Sequence, residues 1–291
     1  MQKATRKVSE YALDILRVSS PIDYQEGFEI LEKLDPSERV HRPRETTAVA
    51  LEHVKQIKRG RWHLVFVRGT HDEVPVLLNA ASGRSEIQEL DENQFIAYRT
   101  HVVVSLGKSQ HIVLLEYSHY GAKSGDIEGL LATLLETAIG SAHTVSLKPQ
   151  FAPSFAKEVK KFRRIVEASA TISVPNPGWG DAKGLLAELG GKSEAGRIGI
   201  HANARHGDSL SKADGLVREI LDQSQGNGII ESAYVVGRRP GEAKDIRVSM
   251  LNFVKRMALS VRRAGRTGVD SNDLLTKMDE QMTYLEEQTD K

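Results

Sequence analysis

The stretch AVALEHVKQIKRGRWHLVFVRG, residues 48–69, decides how the first half of the chain folds. Val49, Leu51 and His53 alternate, Arg59-Gly60 offers a turn, and Leu64 to Val67 return as an apolar run. Alternation on both sides of a glycine turn predicts a β-hairpin, because successive side chains of a strand point to opposite faces. An isolated hairpin is marginal in water, so this one requires further strands or a helix across its apolar face.

The surrounding sequence supplies both. YALDILRVSS reads as an opening strand, and YQEGFEILEKL as a helix through Phe28, Leu31 and Leu34 that Asp35-Pro36 ends. VPVLLNA, FIAYRTHVVVSL and HIVLLEYSHY add β-rich runs. SGDIEGLLATLLETAIG is a helix with Ser124 or Asp126 at its N-cap and Gly140 as its stop. In the second half, HTVSLKPQFA, ATISVPNPGWG, GRIGIHANA and IIESAYVVGRR read as strands. AKGLLAELGG and KADGLVREILDQSQGNG read as helices, and a basic helix is expected from Ser154 to Ala168. IRVSMLNFVKRMALSVRRAG reads as a strand running into a helix or as one long helix. Without a regular strand–helix–strand rhythm the class is α+β: mixed sheets, helices packed on one face, and a C-terminal helix. Two domains are expected, at 1–143 and 144–269, followed by an acidic amphipathic helix over 270–291. In that tail Leu275, Met278, Met282 and Leu285 step 3-4-3, a seam that packs on its own domain or pairs subunits.

The totals exclude several function classes. The chain has 291 residues, 40% hydrophobic and 27% charged, as an ordinary globular protein has. A net charge of +1 gives no global field for polyanions, so any such site needs local segregation of charge. The absence of cysteine excludes disulfides, thiolate zinc sites and a cysteine nucleophile, and fits a cytoplasmic setting. MQKATRKVSEYALDIL meets Glu10 and Asp14 before any apolar run, unlike a signal peptide, and no window is long and apolar enough for a membrane helix.

Catalytic motifs are sparse. GGKS at 190–193 lacks the glycine a P-loop needs five positions before Gly191, where Leu186 stands. Glu242-x-Lys244, with Asp222 or Asp214 upstream, matches the carboxylates and lysine of a Mg²⁺-dependent nuclease, but Pro240-Gly241 places it in a turn. HANARHGDS crowds His201, Asn203, Arg205, His206 and Asp208 after a strand, and reads as a polar loop, with an acid–base role or a phosphate contact as the alternatives. The histidines form no metal-ligand spacing, and no cofactor fingerprint occurs.

Charge segregation is the stronger signal. From Lys148 to Arg164 there are six basic residues and one acid, Glu158. Within this stretch Phe155, Val159, Phe162 and Val166 step as the buried stripe of a helix. From Ile246 to Val269 no acid occurs, while Arg247, Lys255, Arg256, Arg262, Arg263 and Arg266 are basic. A weaker cluster gathers Arg39, Arg42, Arg44, Lys55, Lys58, Arg59 and Arg61. Local clusters on a neutral chain mark a phosphate-tracking surface. The competing reading is charge balance, with the acidic tail folding back on Arg262–Arg266. Few aromatics accompany these cations, which favours duplex backbone over stacked bases.

The order of IVLLEYSHYGAKSGDIEGLLATLL, then VSLKPQF, then AKEVKKFRRI resembles the RexA-type exclusion proteins of temperate phages and related phage-defence proteins. The resemblance implies a cytoplasmic homodimer that binds DNA with little sequence preference and signals to a membrane-protein partner. VPNPGWGDAKG and the acidic tail depart from that pattern. The leading expectation is therefore a non-enzymatic protein that grips duplex DNA. Lys157, Lys160, Lys161, Arg163 and Arg164 would do so from one element, and Lys255, Arg256, Arg262, Arg263 and Arg266 from another. The alternatives are a Mg²⁺-dependent nuclease using Asp222, Glu242 and Lys244, and a protein-interaction module that ignores nucleic acid.

Overall fold

A computed structural model describes residues 3–17, 24–71, 76–79, 81–87, 90–91, 93–107, 110–139, 143–173, 193, 197–224, 230–265 and 268–289. The first run of elements is β1 (Lys3–Arg17), α1 (Tyr24–Lys33), β2 (Val40–Arg44), β3 (Thr47–Lys58), β4 (Arg61–Thr70), β5 (Val76–Asn79) and β6 (Arg84–Ile87). It continues with β7 (Ile96–Leu106), β8 (His111–Glu116), α2 (Ser124–Ile139) and β9 (His143–Pro149). Then come α3 (Ser154–Lys160), β10 (Arg164–Ser173), β11 (Arg197–Asn203), α4 (Gly215–Gln223), β12 (Ile230–Arg238) and β13 (Ile246–Ser249). The chain closes with β14 (Arg256–Ala264), β15 (Gly268–Val269) and α5 (Ser271–Thr289). The α+β class is as the sequence predicts.

The chain divides into two units, and the division differs from 1–143, 144–269 and 270–291. Unit 1 joins Met1–Lys148 to Arg256–Lys291, and unit 2 is Pro149–Lys255. Strand pairing explains the difference. β14 runs antiparallel along β1, from Lys3 opposite Arg262 to Ser9 opposite Arg256, so residues 256–264 complete the first sheet. They were expected as helix, but Leu259 and Val261 are buried at period two, the signature of a strand.

Unit 1 is built on a sheet of order β15-β14-β1-β8-β7-β4-β3-β2, with β9 also on β1. The quoted hairpin is β3 and β4, turning at Gly60 with φ of 73°. A Cβ there would stand 3.1 Å from the Leu106 carbonyl oxygen, so the turn requires glycine twice over. Alternation sorts the core onto two faces. Trp62, Leu64, Phe66, Val102 and Val104 face α1 and α2, while Val65, Val103, Ile112 and Leu114 face α5. Helices thus cover both faces of this sheet, where one had been expected. Leu275, Met278 and Met282 of the tail seam are buried against the second face, and Leu285 packs beside them.

Unit 2 is a four-stranded antiparallel sheet of order β11-β10-β12-β13, with α3 and α4 sharing one core on one face. Phe155, Val159 and Phe162 are fully buried there. Each contributes about 2 kcal/mol by leaving water, enough together to fix the orientation of the seven-residue helix and of the chain just after it. The segment enters and leaves through a β-bridge between Phe151 and Val254. AKGLLAELGG, all of VPNPGWG, and the GGKS motif apart from Ser193 lie outside the described residues.

Candidate nucleic-acid interface

The basic helix expected over 154–168 ends at Lys160, and Arg164 already begins β10. Phe162 leaves the helix to lie over the backbone of β12. A Cβ on Gly237 would come within 2.9 Å of its ring and 2.5 Å of the Arg164 carbonyl oxygen. Val166, the last member of the expected stripe, is only half-buried on the strand. The five cations therefore do not line one helix face. They crowd where α3 ends and β10 starts.

That corner is also reached by distant parts of unit 2. The Arg163 N–H donates to the Arg238 carbonyl at 2.7 Å, bringing in the β12–β13 turn. Arg164 Nε donates to the Asp208 carbonyl at 2.9 Å, and Leu210 N to the Ile165 carbonyl at 2.8 Å, which bring in the loop after β11. Residues 157–164, 205–212 and 238–245 together hold ten Lys and Arg against four acids, so this end of the unit carries an excess of positive charge.

The cations fall into two groups. Lys161 Nζ and Arg239 Nη2 hold the two oxygens of Glu158 at 2.5 and 2.6 Å. The Lys161 hydrogen bond is the main reason the Glu158 carboxyl sits below the ordinary glutamate range. Arg238 holds Asp245 at 2.9 Å and lowers its pKa in the same way. Lys212 Nζ donates to the carbonyls of Lys160 and Phe162, capping the C-terminus of α3, where a cation also suits the helix dipole. Arg164 is spent on the 205–210 loop. By contrast Lys157, Lys160, Arg163, Arg205 and Lys244 are exposed and in no ion pair among the described residues. Three of these five were named from sequence. Arg205 was noted only as part of HANARHGDS, and Lys244 only as a nuclease residue; what joins them to the helix is pairing across the sheet, which no local pattern records.

The second predicted segment is divided. Lys255 ends unit 2, its N–H on the Gln150 carbonyl at 2.7 Å, while Arg256, Arg262 and Arg263 lie on β14 of unit 1. Arg256 stands over the Tyr117 ring at 5.9 Å. Arg262 is held by Asp273 at 3.1 Å and Asp270 at 3.4 Å, as the charge-balance reading of the tail expects. Arg263 is one step on and so on the opposite face of the strand, and Arg266 lies outside the described residues. In the weaker cluster, Arg39 is buried and donates to the Glu32 and Leu34 carbonyls at the end of α1. Arg61 is buried beneath α5 with Asp279 and Glu286. Both hold the fold together.

The nuclease residues are not assembled. Asp222 is held by Arg218 one turn back along α4, at 2.5 Å, and Glu242 and Lys244 lie in the turn after β12. No group of three metal-ligating side chains occurs among the described residues. On the face of the unit 2 sheet away from the helices, Tyr234 donates to Glu167 at 2.6 Å and Arg247 lies over the Tyr234 ring at 3.5 Å. His201 stands 4.0 Å from the same carboxylate. No described helix is long and apolar enough to cross a membrane. Neither a protein-family model nor a curated protein matches the chain.

Proposed function

We propose that this protein binds the phosphate backbone of double-stranded DNA through the basic end of unit 2, with little dependence on base sequence. The observation that carries this reading is the set of five exposed cations without ion pairs, Lys157, Lys160, Arg163, Arg205 and Lys244, drawn together from three separate stretches. Lysine and arginine free of protein carboxylates are the groups that displace counterions from a duplex. The ring of Glu158, Asp245 and Lys212 around them fixes the corner, so little ordering is required on binding. Among the described residues none of these five cations stacks on an aromatic ring, which favours phosphate contact over base stacking. Phage exclusion, a homodimer and a membrane-protein partner enter this reading only through the resemblance of residues 112–135 and 145–165.

The test is binding to a labelled random-sequence duplex across a salt series, beside a single strand of the same length. Wild type binds the duplex tightly at low salt, and affinity falls steeply as salt rises. Lys157→Ala/Lys160→Ala/Arg163→Ala flattens the slope of log K against log salt by roughly 3, one unit for each phosphate no longer neutralised. Equal affinity of wild type and variant, or no binding at low salt, refutes the proposal.

A further inference from the structure

Beneath the start of α5, a serine, a histidine and a glutamate stand in series and take no part in the basic corner. His101 on β7 and Glu116 at the end of β8 lie on the sheet face that α5 covers, each only 4% exposed. His101 Nδ1 is 2.6 Å from Glu116 Oε2, and His101 Nε2 is 2.8 Å from Ser271 Oγ. Glu116 Oε2 also accepts the His101 backbone N–H at 3.2 Å, and Arg6 Nε stands 3.4 Å from its other oxygen. A carboxylate only accepts, so in the neutral imidazole the proton is at Nδ1 and Nε2 is the acceptor. The Ser271 hydroxyl then donates to Nε2. A nucleophile, a base and the group that orients the base are thereby in hydrogen-bond contact, the arrangement that activates a serine.

A serine opening a helix is usually there to cap it, but this one is not. Asp270 fills that role: its carboxylate accepts the Asp273 N–H at 3.1 Å and its carbonyl accepts the Leu274 N–H at 3.0 Å. The N–H groups of Ser271 and Asn272 have no acceptor among the described residues. They are the first donors of a 19-residue helix, at its positive end and next to the hydroxyl, where charge on a tetrahedral oxygen would develop. Ser271 is itself partly exposed, with the buried base and carboxylate behind it, so a substrate reaches the hydroxyl from the solvent side.

We propose that Ser271, His101 and Glu116 form a serine-hydrolase centre acting on carboxylic esters. Ser271 Oγ attacks the ester carbonyl carbon as its proton passes to His101 Nε2. The bond to the alcohol breaks, and that proton leaves with the alcohol. Water then attacks the acyl-serine, gives one proton to Nε2, and releases the acid as the proton returns to Oγ. The sum is ester plus water to acid plus alcohol, and no further reagent is needed. Glu116 holds the imidazole tautomer throughout, and Ser271 N–H and Asn272 N–H receive the oxyanion.

The native full-length protein is treated with a fluorophosphonate, and the site of the adduct is read by peptide mass spectrometry. Hydrolysis of p-nitrophenyl acetate is followed in parallel. One adduct per chain is expected, on Ser271, and none on Ser271→Ala, whose circular dichroism matches wild type. Glu116→Gln slows labelling by a factor of about 10³–10⁴ through loss of the tautomer. Two results overturn the proposal: natively folded wild type carrying no adduct on Ser271, or ester hydrolysis undiminished in Ser271→Ala.

Discussion

Gly237 shows how one residue without a side chain shapes a charged surface. Phe162 and the Arg164 carbonyl occupy the space a Cβ would take, and that contact brings the end of α3 down onto β12. Gly237→Ala removes no charge, yet it is expected to cost about 2 kcal/mol by overpacking and to weaken duplex binding by displacing Arg163. Urea unfolding and the salt-series assay check the two effects together; unchanged binding at reduced stability would uncouple the contact from the surface. At the same scale the sequence shows which residues are charged but not what each charge serves. Lys161 and Lys160 are adjacent, but one is tied to Glu158 and the other is in no ion pair among the described residues. Lys212 lies outside both predicted clusters and turns out to cap α3. Only distance separates these roles, and distance across a sheet is not a local property of sequence.

Among the elements, α5 has the clearest balance of forces. Its apolar side is anchored by Leu274, Leu275, Met278 and Met282, and its acids meet the buried Arg61. Burial acts to raise the Glu286 pKa, but hydrogen bonds from Ser105 and Arg61 outweigh it and hold the carboxyl below the ordinary value. Burial likewise holds His63, 3.8 Å from Asp279, below the ordinary histidine value. The unfolded chain takes up protons more readily at both groups, so each contributes stability that is complete above its unfolded pKa. That stability begins to fade below about pH 6.5 for His63 and about pH 4.3 for Glu286. Glu286→Gln should lower the thermal midpoint at neutral pH, by about 1 kcal/mol in stability, with the gap to wild type closing in acid. Thermal melts of both proteins at a series of pH values check this, and a gap independent of pH would count against it. Strong periodicity made the elements of unit 1 readable: the β3–β4 hairpin, α1, α2 and the tail helix are where the pattern puts them. α3 and β14 were misread because cations at successive positions satisfy helix and strand alike, and because burial of Leu259 and Val261 depends on β1, some 250 residues away in sequence.

For the molecule as a whole, the decisive fact is that unit 2 is inserted into unit 1. Pro149–Lys255 is continuous and has its own core, and its two ends are joined by the Phe151–Val254 bridge. Expressed alone, residues 149–255 should unfold cooperatively and keep the duplex affinity of the full chain. A chain cut after Val269 should lose unit 1, because the apolar face of Val8, Val65, Val103 and Val261 is then left to water. Light scattering and chemical denaturation distinguish the two cases; a soluble, fully folded truncation would mean α5 is dispensable.

The same insertion reverses the usual order of biosynthesis. Domains fold as units, normally N-terminal first, as the ribosome releases them. Here the strands from β1 to β9 emerge early but lack β14 and α5, which are translated only after all of unit 2. At roughly 5–20 residues per second, reading through the insertion takes on the order of 5 to 20 seconds. Throughout that interval the nascent first half exposes the flank of β1 and one apolar side of its sheet, and at its end unit 2 is able to close before β14 and α5 have been made. The half of the protein made first is thus the half completed last, and it is the one that a ribosome-associated chaperone would have to shield.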